Sequence, residues 1–220
     1  MKTPGPNCRD GRRGVSFGRM NGSPIFLLSP AHAGGKRAQT LLKPDTGSAV
    51  GKRLHRGEAV PLGEVFSFVS GLYFRGKLAY ASRFAASDDI LVITPHRGLL
   101  PASTPVSLAD LAEHSQIDID IDNEEYRRPL EIDLAGLAMG GRTRPVIFLG
   151  SLASRKYVGV LQGALPGRLL FPTSFVGLGD MSRGALLLRH AKAGVELDYA
   201  PIEELSRHSR PKQREGGGNS

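Results

Sequence analysis

Four short, mainly apolar runs interrupt an otherwise mixed chain: Pro24–Ser29 (PIFLLS), Ile90–Thr94 (ILVIT), Val146–Gly150 (VIFLG) and Leu169–Thr173 (LLFPT). The first three are near-continuous rather than alternating, which predicts parallel strands covered on both faces. Pro172 marks the fourth as an edge strand or one that ends early, because proline has no N–H for a ladder.

The segments between them carry helical patterns. Over 62–86, Val65, Phe66, Val69, Leu72, Tyr73, Leu78, Tyr80, Ala81 and Phe84 recur at mostly three-to-four spacing, with a break or kink expected at Gly71 or Gly76. Ser107 reads as the N-cap of a helix over 108–114, with Asp110 in its first turn. Further helices are predicted over 129–139, stopped by Gly140 and Gly141, and over 156–165. A last one runs over 183–193, capped by Ser182 and closed by Gly194. Residues 44–61, rich in Pro, Gly and charge, read as a mobile loop. Strands alternating with helices predict an α/β fold: one domain, 23–203, with a mainly parallel, doubly wound sheet flanked by helices.

Composition changes this picture only at the ends. The net charge of +8 invites a nucleic-acid reading, but residues 1–22 carry five basic residues against one acid, and 205–220 four against one. The body 23–204 holds 20 basic and 19 acidic residues, so the charge belongs mostly to the tails. Both tails, 1–22 and 204–220, read as disordered, and Met20 is a candidate start that would make 1–19 a gene-model extension. No apolar stretch reaches membrane-span or signal-core length, so no membrane partner is expected. The single cysteine, Cys8, leaves no internal disulfide or cysteine metal set, and the expected compartment is a reducing cytoplasm.

Candidate chemistry lies after the strands. The first is followed by Ser29-Pro30-Ala31-His32-Ala33-Gly34-Gly35-Lys36-Arg37, the second by Thr94-Pro95-His96-Arg97-Gly98. The third leads into Gly150-Ser151 and then Lys156-Tyr157, the fourth into Gly179-Asp180-Met181-Ser182-Arg183. In a parallel sheet all four loops emerge at the carboxyl edge, where open α/β proteins bind ligands. Glycine N–H groups, small hydroxyls and cations gathered there suit an anion. One such loop is an ordinary turn; four together favour a pocket.

Several sharper readings fail on the residues. Gly34-Gly35-Lys36-Arg37 is no P-loop, since Pro30 replaces the leading glycine and Arg37 the Mg²⁺-binding hydroxyl. Ile117–Asp122 (IDIDID) lacks the turn glycine and the final glutamate of an EF-hand, and reads better as an edge strand or extended arm. His32 and His96, in similar Ser-Pro-Ala-His and Thr-Pro-His settings, are candidate general acids or bases; two histidines alone make no metal site. No cofactor is implied. The acids are segregated: residues 110–133 hold nine acids and two arginines, leaving the rest of the body 18 basic to 10 acidic. Tyr73, Arg75 and Lys77 stay open between core and a base-stacking surface, whereas Tyr80 reads as core.

The chain resembles the YaaA-type peroxide-stress proteins and related small bacterial domains. The likeness rests on Leu27-Leu28-Ser29-Pro30-Ala31, on Thr94 to Pro101, on Leu152-Ala153-Ser154-Arg155-Lys156-Tyr157 and on Gly179-Asp180-Met181-Ser182-Arg183, in that order. It departs from the family where the lysine after Ser-Pro-Ala is His32, and it has no room for the inserted helix-hairpin-helix-like portion. The resemblance implies a cytoplasmic protein connected with oxidative stress or DNA.

Three functions stay open. The first is a protein that binds a nucleotide or nucleic acid at the strand edge. The second is an enzyme acting on a nucleoside or nucleobase, with Ser29 or Thr94 positioning the ligand, His32 or His96 moving protons, and Lys36, Arg97, Lys156 and Arg183 holding phosphate. The third is an interaction module without chemistry.

Overall fold

A computed structural model describes residues 22–31, 33–140, 144–152 and 156–208. The apolar runs become the centre of its sheet: β1 (Ile25–Leu28), β3 (Ile90–Ile93), β6 (Val146–Leu149) and β7 (Leu169–Pro172). They lie parallel in the order β3-β1-β6-β7, with Phe26 opposite Ile90 on one side and Ile147 on the other. Every residue of β1, β6 and β7 is buried, as strands covered on both faces require. Two short antiparallel strands, β4 (Leu99–Pro101) beside β3 and β8 (Tyr199–Pro201) beside β7, close the edges. The protein is thus a mixed α/β domain with a six-stranded, mostly parallel sheet flanked by helices. Pro172 ends β7 as expected, but β8 pairs alongside it, so β7 is interior rather than an edge.

The apolar stretch over 62–86 is two helices, α3 (Leu62–Ser70) and α4 (Leu72–Phe84), and Gly71 breaks them at φ +70°, a conformation only glycine adopts freely. Phe26 of β1 meets Tyr80 of α4 edge-to-face at 5.8 Å, which seats α4 on the sheet. Gly76 plays a different part from the kink expected of it. It lies inside α4 against Gly184 of α8 (Asp180–Ala193), where a Cβ would stand 2.7 Å from the Gly184 carbonyl oxygen. A Cβ on Gly184 would in turn lie 2.9 Å from the Leu72 carbonyl, so the two helices cross backbone on backbone.

Helix α5 (Leu108–Gln116) carries the expected cap in full. Ser107 Oγ accepts from the Asp110 N–H at 3.2 Å, and Asp110 accepts from the Ser107 N–H at 2.7 Å. Helix α6 (Glu124–Gly140) is longer than predicted. Asn123 starts it by accepting from the Glu125 N–H at 3.1 Å, and Pro129 sits inside without stopping it. Tyr126, Leu130 and Leu134, four residues apart, are its buried face. The predicted helix near 156–165 forms as α7 (Val158–Ala164), packed on α6.

Some expectations change and one narrows. The presumed loop 44–61 contains α2 (Ala49–His55), capped by Ser48, and β2 (Val60–Pro61), which pairs with β5 (Pro105–Val106). The Ile117–Asp122 segment finds no strand partner and runs as an arm; Ile117 and Ile119 still pack inward with the aspartates out. Helix α8 begins at Asp180 with Gly179 as N-cap, and Ser182 is an exposed residue of its first turn rather than its cap. A short helix, α1 (Lys36–Leu42), follows the β1 loop, and α9 (Ile202–His208) carries the described chain past the predicted boundary at 203. Among the described residues no helix is long and apolar enough to cross a membrane.

Candidate functional site

Chain order β1, β3, β6 against spatial order β3-β1-β6 makes β1 the point where the sheet switches direction of growth, so a crevice opens over the carboxyl ends of β1 and β6. A cavity of about 200 Å³ sits there, bounded by Pro30 and Gly34 after β1, Pro95 after β3, His114 and Asp118 at the end of α5, and Lys156 and Tyr157 after β6. Tyr157 is held by its edge contact with Phe148 at 5.4 Å.

His114 is the unusual wall. It is 2% exposed, and neither ring nitrogen has a hydrogen-bond partner; the Asp110 backbone one turn back exerts only a weak pull. Burial pushes its pKa down to about 4, with the neighbouring His96 and Arg97 charges adding to the effect. The ring is therefore neutral at pH 7 and offers one donor and one acceptor. Leaving such a group unpaired costs about 1–3 kcal/mol.

The four predicted cations do not converge. Lys156 lines the cavity. Arg97 turns to α5, 2.6 Å from Asp110 and 3.0 Å from Glu113. Arg183 donates to the Phe175 carbonyl at 3.2 and 3.3 Å and lies over the Phe175 ring, while Lys36 is exposed at the start of α1. Of the histidines, His96 faces Glu113 at 3.3 Å and packs edge-on against His114 at 4.8 Å; His32 lies outside the described residues.

Thr94 is fully buried and closes its own turn, donating to the Gly98 carbonyl at 3.0 Å and accepting from the Arg97 N–H at 3.0 Å. Gly98 is required there: φ is +59°, and a Cβ would meet the Asp133 carboxylate that accepts from the Leu99 N–H. Gly34 lines the cavity and Gly35 caps α1 beside it. Ser151 is half-buried after β6, and Gly179 and Ser182 are exposed at the start of α8, away from the cavity wall.

Ser29 is placed as no motif indicated. It is 5% exposed at the end of β1, and its partner is Lys77 of α4, whose Nζ lies 2.8 Å from Ser29 Oγ and 2.9 Å from the Ser29 carbonyl oxygen. Lys77 is 1% exposed, with Nζ 4.4 Å from the Tyr73 ring centre and 5.0 Å from that of Phe74. Among the described residues no carboxylate forms an ion pair with it. Burial pushes its pKa down to about 7; Asp180 pulls it upward and Arg183 downward. Tyr73 donates to the Gly150 carbonyl at 2.9 Å, tying the same helix to the end of β6. Sequence reasoning missed His114, which lies in no motif. It left Lys77 open between core and a stacking surface without pairing it with Ser29, which it meets across 48 residues of chain.

Among the described residues no three His, Cys, Asp or Glu side chains gather into a metal site. No family model, curated protein or solved structure matches this chain, so the likeness to YaaA-type proteins rests on the residues quoted for it.

Proposed function

We propose that the cavity over β1, β3 and β6 binds a small ligand that joins a hydrogen-bonding group to an anionic one, of the nucleobase or nucleotide class. The observation that carries this is His114: a buried, neutral, unpartnered imidazole at the wall of a strand-edge crevice, with Lys156 on the same wall. Its donor and acceptor suit the edge of a base or a sugar hydroxyl, and Lys156 suits the phosphate. The volume, about 200 Å³, is below the roughly 300–1,000 Å³ of drug-sized sites, so it fits a base or sugar rather than a whole dinucleotide. A role in oxidative stress rests on the family resemblance.

The test is a thermal-shift and calorimetric panel of bases, nucleosides and nucleoside monophosphates. Binding to the folded state alone stabilises by about 2.7 kcal/mol at a hundredfold excess over Kd. The expected result is stabilisation by at least one monophosphate, weakened about tenfold in affinity by His114→Leu and by Lys156→Met. A panel with no shift, or hits indifferent to both substitutions, removes this reading.

Nucleic acid is the second reading, favoured by exposed Lys36 and Arg37 directly after Gly34-Gly35. Single-stranded oligonucleotide binding that falls steeply with salt supports it; binding indifferent to salt does not.

A further inference from the structure

Lys77 is the side chain that ligand binding leaves unexplained. A lysine removed from water, with no ion-paired carboxylate among the described residues, is held by one hydroxyl, one carbonyl and two aromatic faces. As an ammonium it donates to both Ser29 oxygens. As a free amine it still donates to the Ser29 carbonyl, and its lone pair faces the Ser29 hydroxyl, which then donates to it. The second arrangement is that of a weak nucleophile beside its base.

We propose that Ser29 and Lys77 form a nucleophile–base pair that accepts an acyl group from small esters presented over the end of β1. The cavity supplies the approach. Pro30 and Ala31, the two residues after Ser29, line it. Ser29 itself is 5% exposed and lies just behind these lining residues, so the proposal takes only a compact acyl group to Oγ. The inference rests on the cavity as the ligand's seat, but not on the ligand's being a nucleotide.

The chemistry balances without a further reagent. The Lys77 amine takes the proton from Ser29 Oγ as Oγ bonds to the carbonyl carbon and the π pair moves to the carbonyl oxygen. Collapse of the tetrahedral adduct breaks the bond to the leaving oxygen, which departs with the proton held on Lys77. Water, deprotonated by the same amine, then attacks the acyl-serine, releases the carboxylic acid and restores Ser29.

The ionisable groups around Lys77 are few. Asp180 and Arg183 act on it from α8 with opposite sign, Tyr73 covers it from its own helix, and β1 contributes only the Ser29 hydroxyl and carbonyl. Burial therefore sets its charge state, and the amine fraction rises with pH through about 7.

The experiment incubates the full chain with p-nitrophenyl acetate and maps acetyl groups by peptide mass spectrometry. The expected product is a hydroxylamine-labile acetyl on Ser29, formed at a rate that rises through about pH 7 and then levels. Ser29→Ala abolishes it. Lys77→Arg, which keeps the charge but cannot serve as base, slows it by about 10²-fold or more, the usual share of a general base. An unmodified Ser29 in the folded wild-type protein overturns the proposal, and so does acetyl on the Lys77 amine instead. A flat pH profile does the same, and these wild-type readouts stand even where a variant does not fold. Nucleotide binding without acetylation sinks only this inference; acetylation without nucleotide binding sinks only the ligand assignment.

Discussion

Arg97 and Lys77 both stand beside the carboxyl edge of the sheet, yet their charges are handled in opposite ways. Arg97 is 39% exposed and flanked by Asp110 and Glu113, so its charge is matched and shared with water. Lys77 is closed off from water and, among the described residues, forms no ion pair with an acid; Ser29 and two rings hold it. The first arrangement docks α5 against the turn after β3. The second leaves a base whose protonation is balanced near neutrality. A cation's place at a strand end says little about function; whether an acid has already claimed it says much more.

The sharpest way to break the Lys77 side of this contrast is to push α8 off α4. Gly184→Val places a side chain where a Cβ already stands 2.9 Å from backbone, and a destabilisation of about 3 kcal/mol in urea unfolding is expected. A loss under about 1 kcal/mol would show that the crossing yields more readily than its geometry implies.

The next effect is a pH dependence. Lys77 has a folded-state pKa pushed below its unfolded value, so between about 7 and 10.5 the unfolded chain binds more protons than the folded one. Stability therefore rises with pH in that window. Between roughly pH 7.5 and 9.5 the wild type is expected to gain about 2 kcal/mol relative to Lys77→Met. Parallel curves for the two proteins would mean that Lys77 stays charged when folded.

His114 follows the same sign lower on the scale. Its folded value near 4 lies below the ordinary 6.5, so stability is lost as pH falls through that interval. Relative to His114→Leu, a loss of about 1–2 kcal/mol by roughly pH 4.5 is expected, read from denaturation midpoints.

The Arg97 side responds less. Ser107→Ala removes the cap that starts α5 and orients Asp110, with about 1 kcal/mol expected. Arg97→Met is expected to cost about 0.5 kcal/mol, shrinking further in high salt because the pair is partly exposed. A larger loss there than in Ser107→Ala would reverse the ranking of the two helix anchors.

The sheet centre was legible because β1, β3 and β6 are buried on both faces and must therefore be apolar at nearly every position. The edges were not: β4 and β8 are three residues long, and β2 and β5 two, too short for any period to show. Helix α6 was cut short in prediction because its first turn is charged and Pro129 follows; three buried residues anchor it anyway. The strand-edge location of the cavity could be read from topology alone. Its occupants could not, because pairing is a property of space. Arg97 finds its acids 13 and 16 residues along the chain, and Ser29 its lysine on a helix 48 residues away.

Gly76 directly precedes Lys77, and Gly184 directly follows Arg183. The point where α4 and α8 touch is thus flanked by the two side chains that reach Ser29 and the Phe175 carbonyl. A slight roll of one helix over the other would be transmitted to both at once. Anyone transplanting the serine–lysine pair into another scaffold would have to carry the two glycines with it, since they fix the spacing that the charged groups merely use.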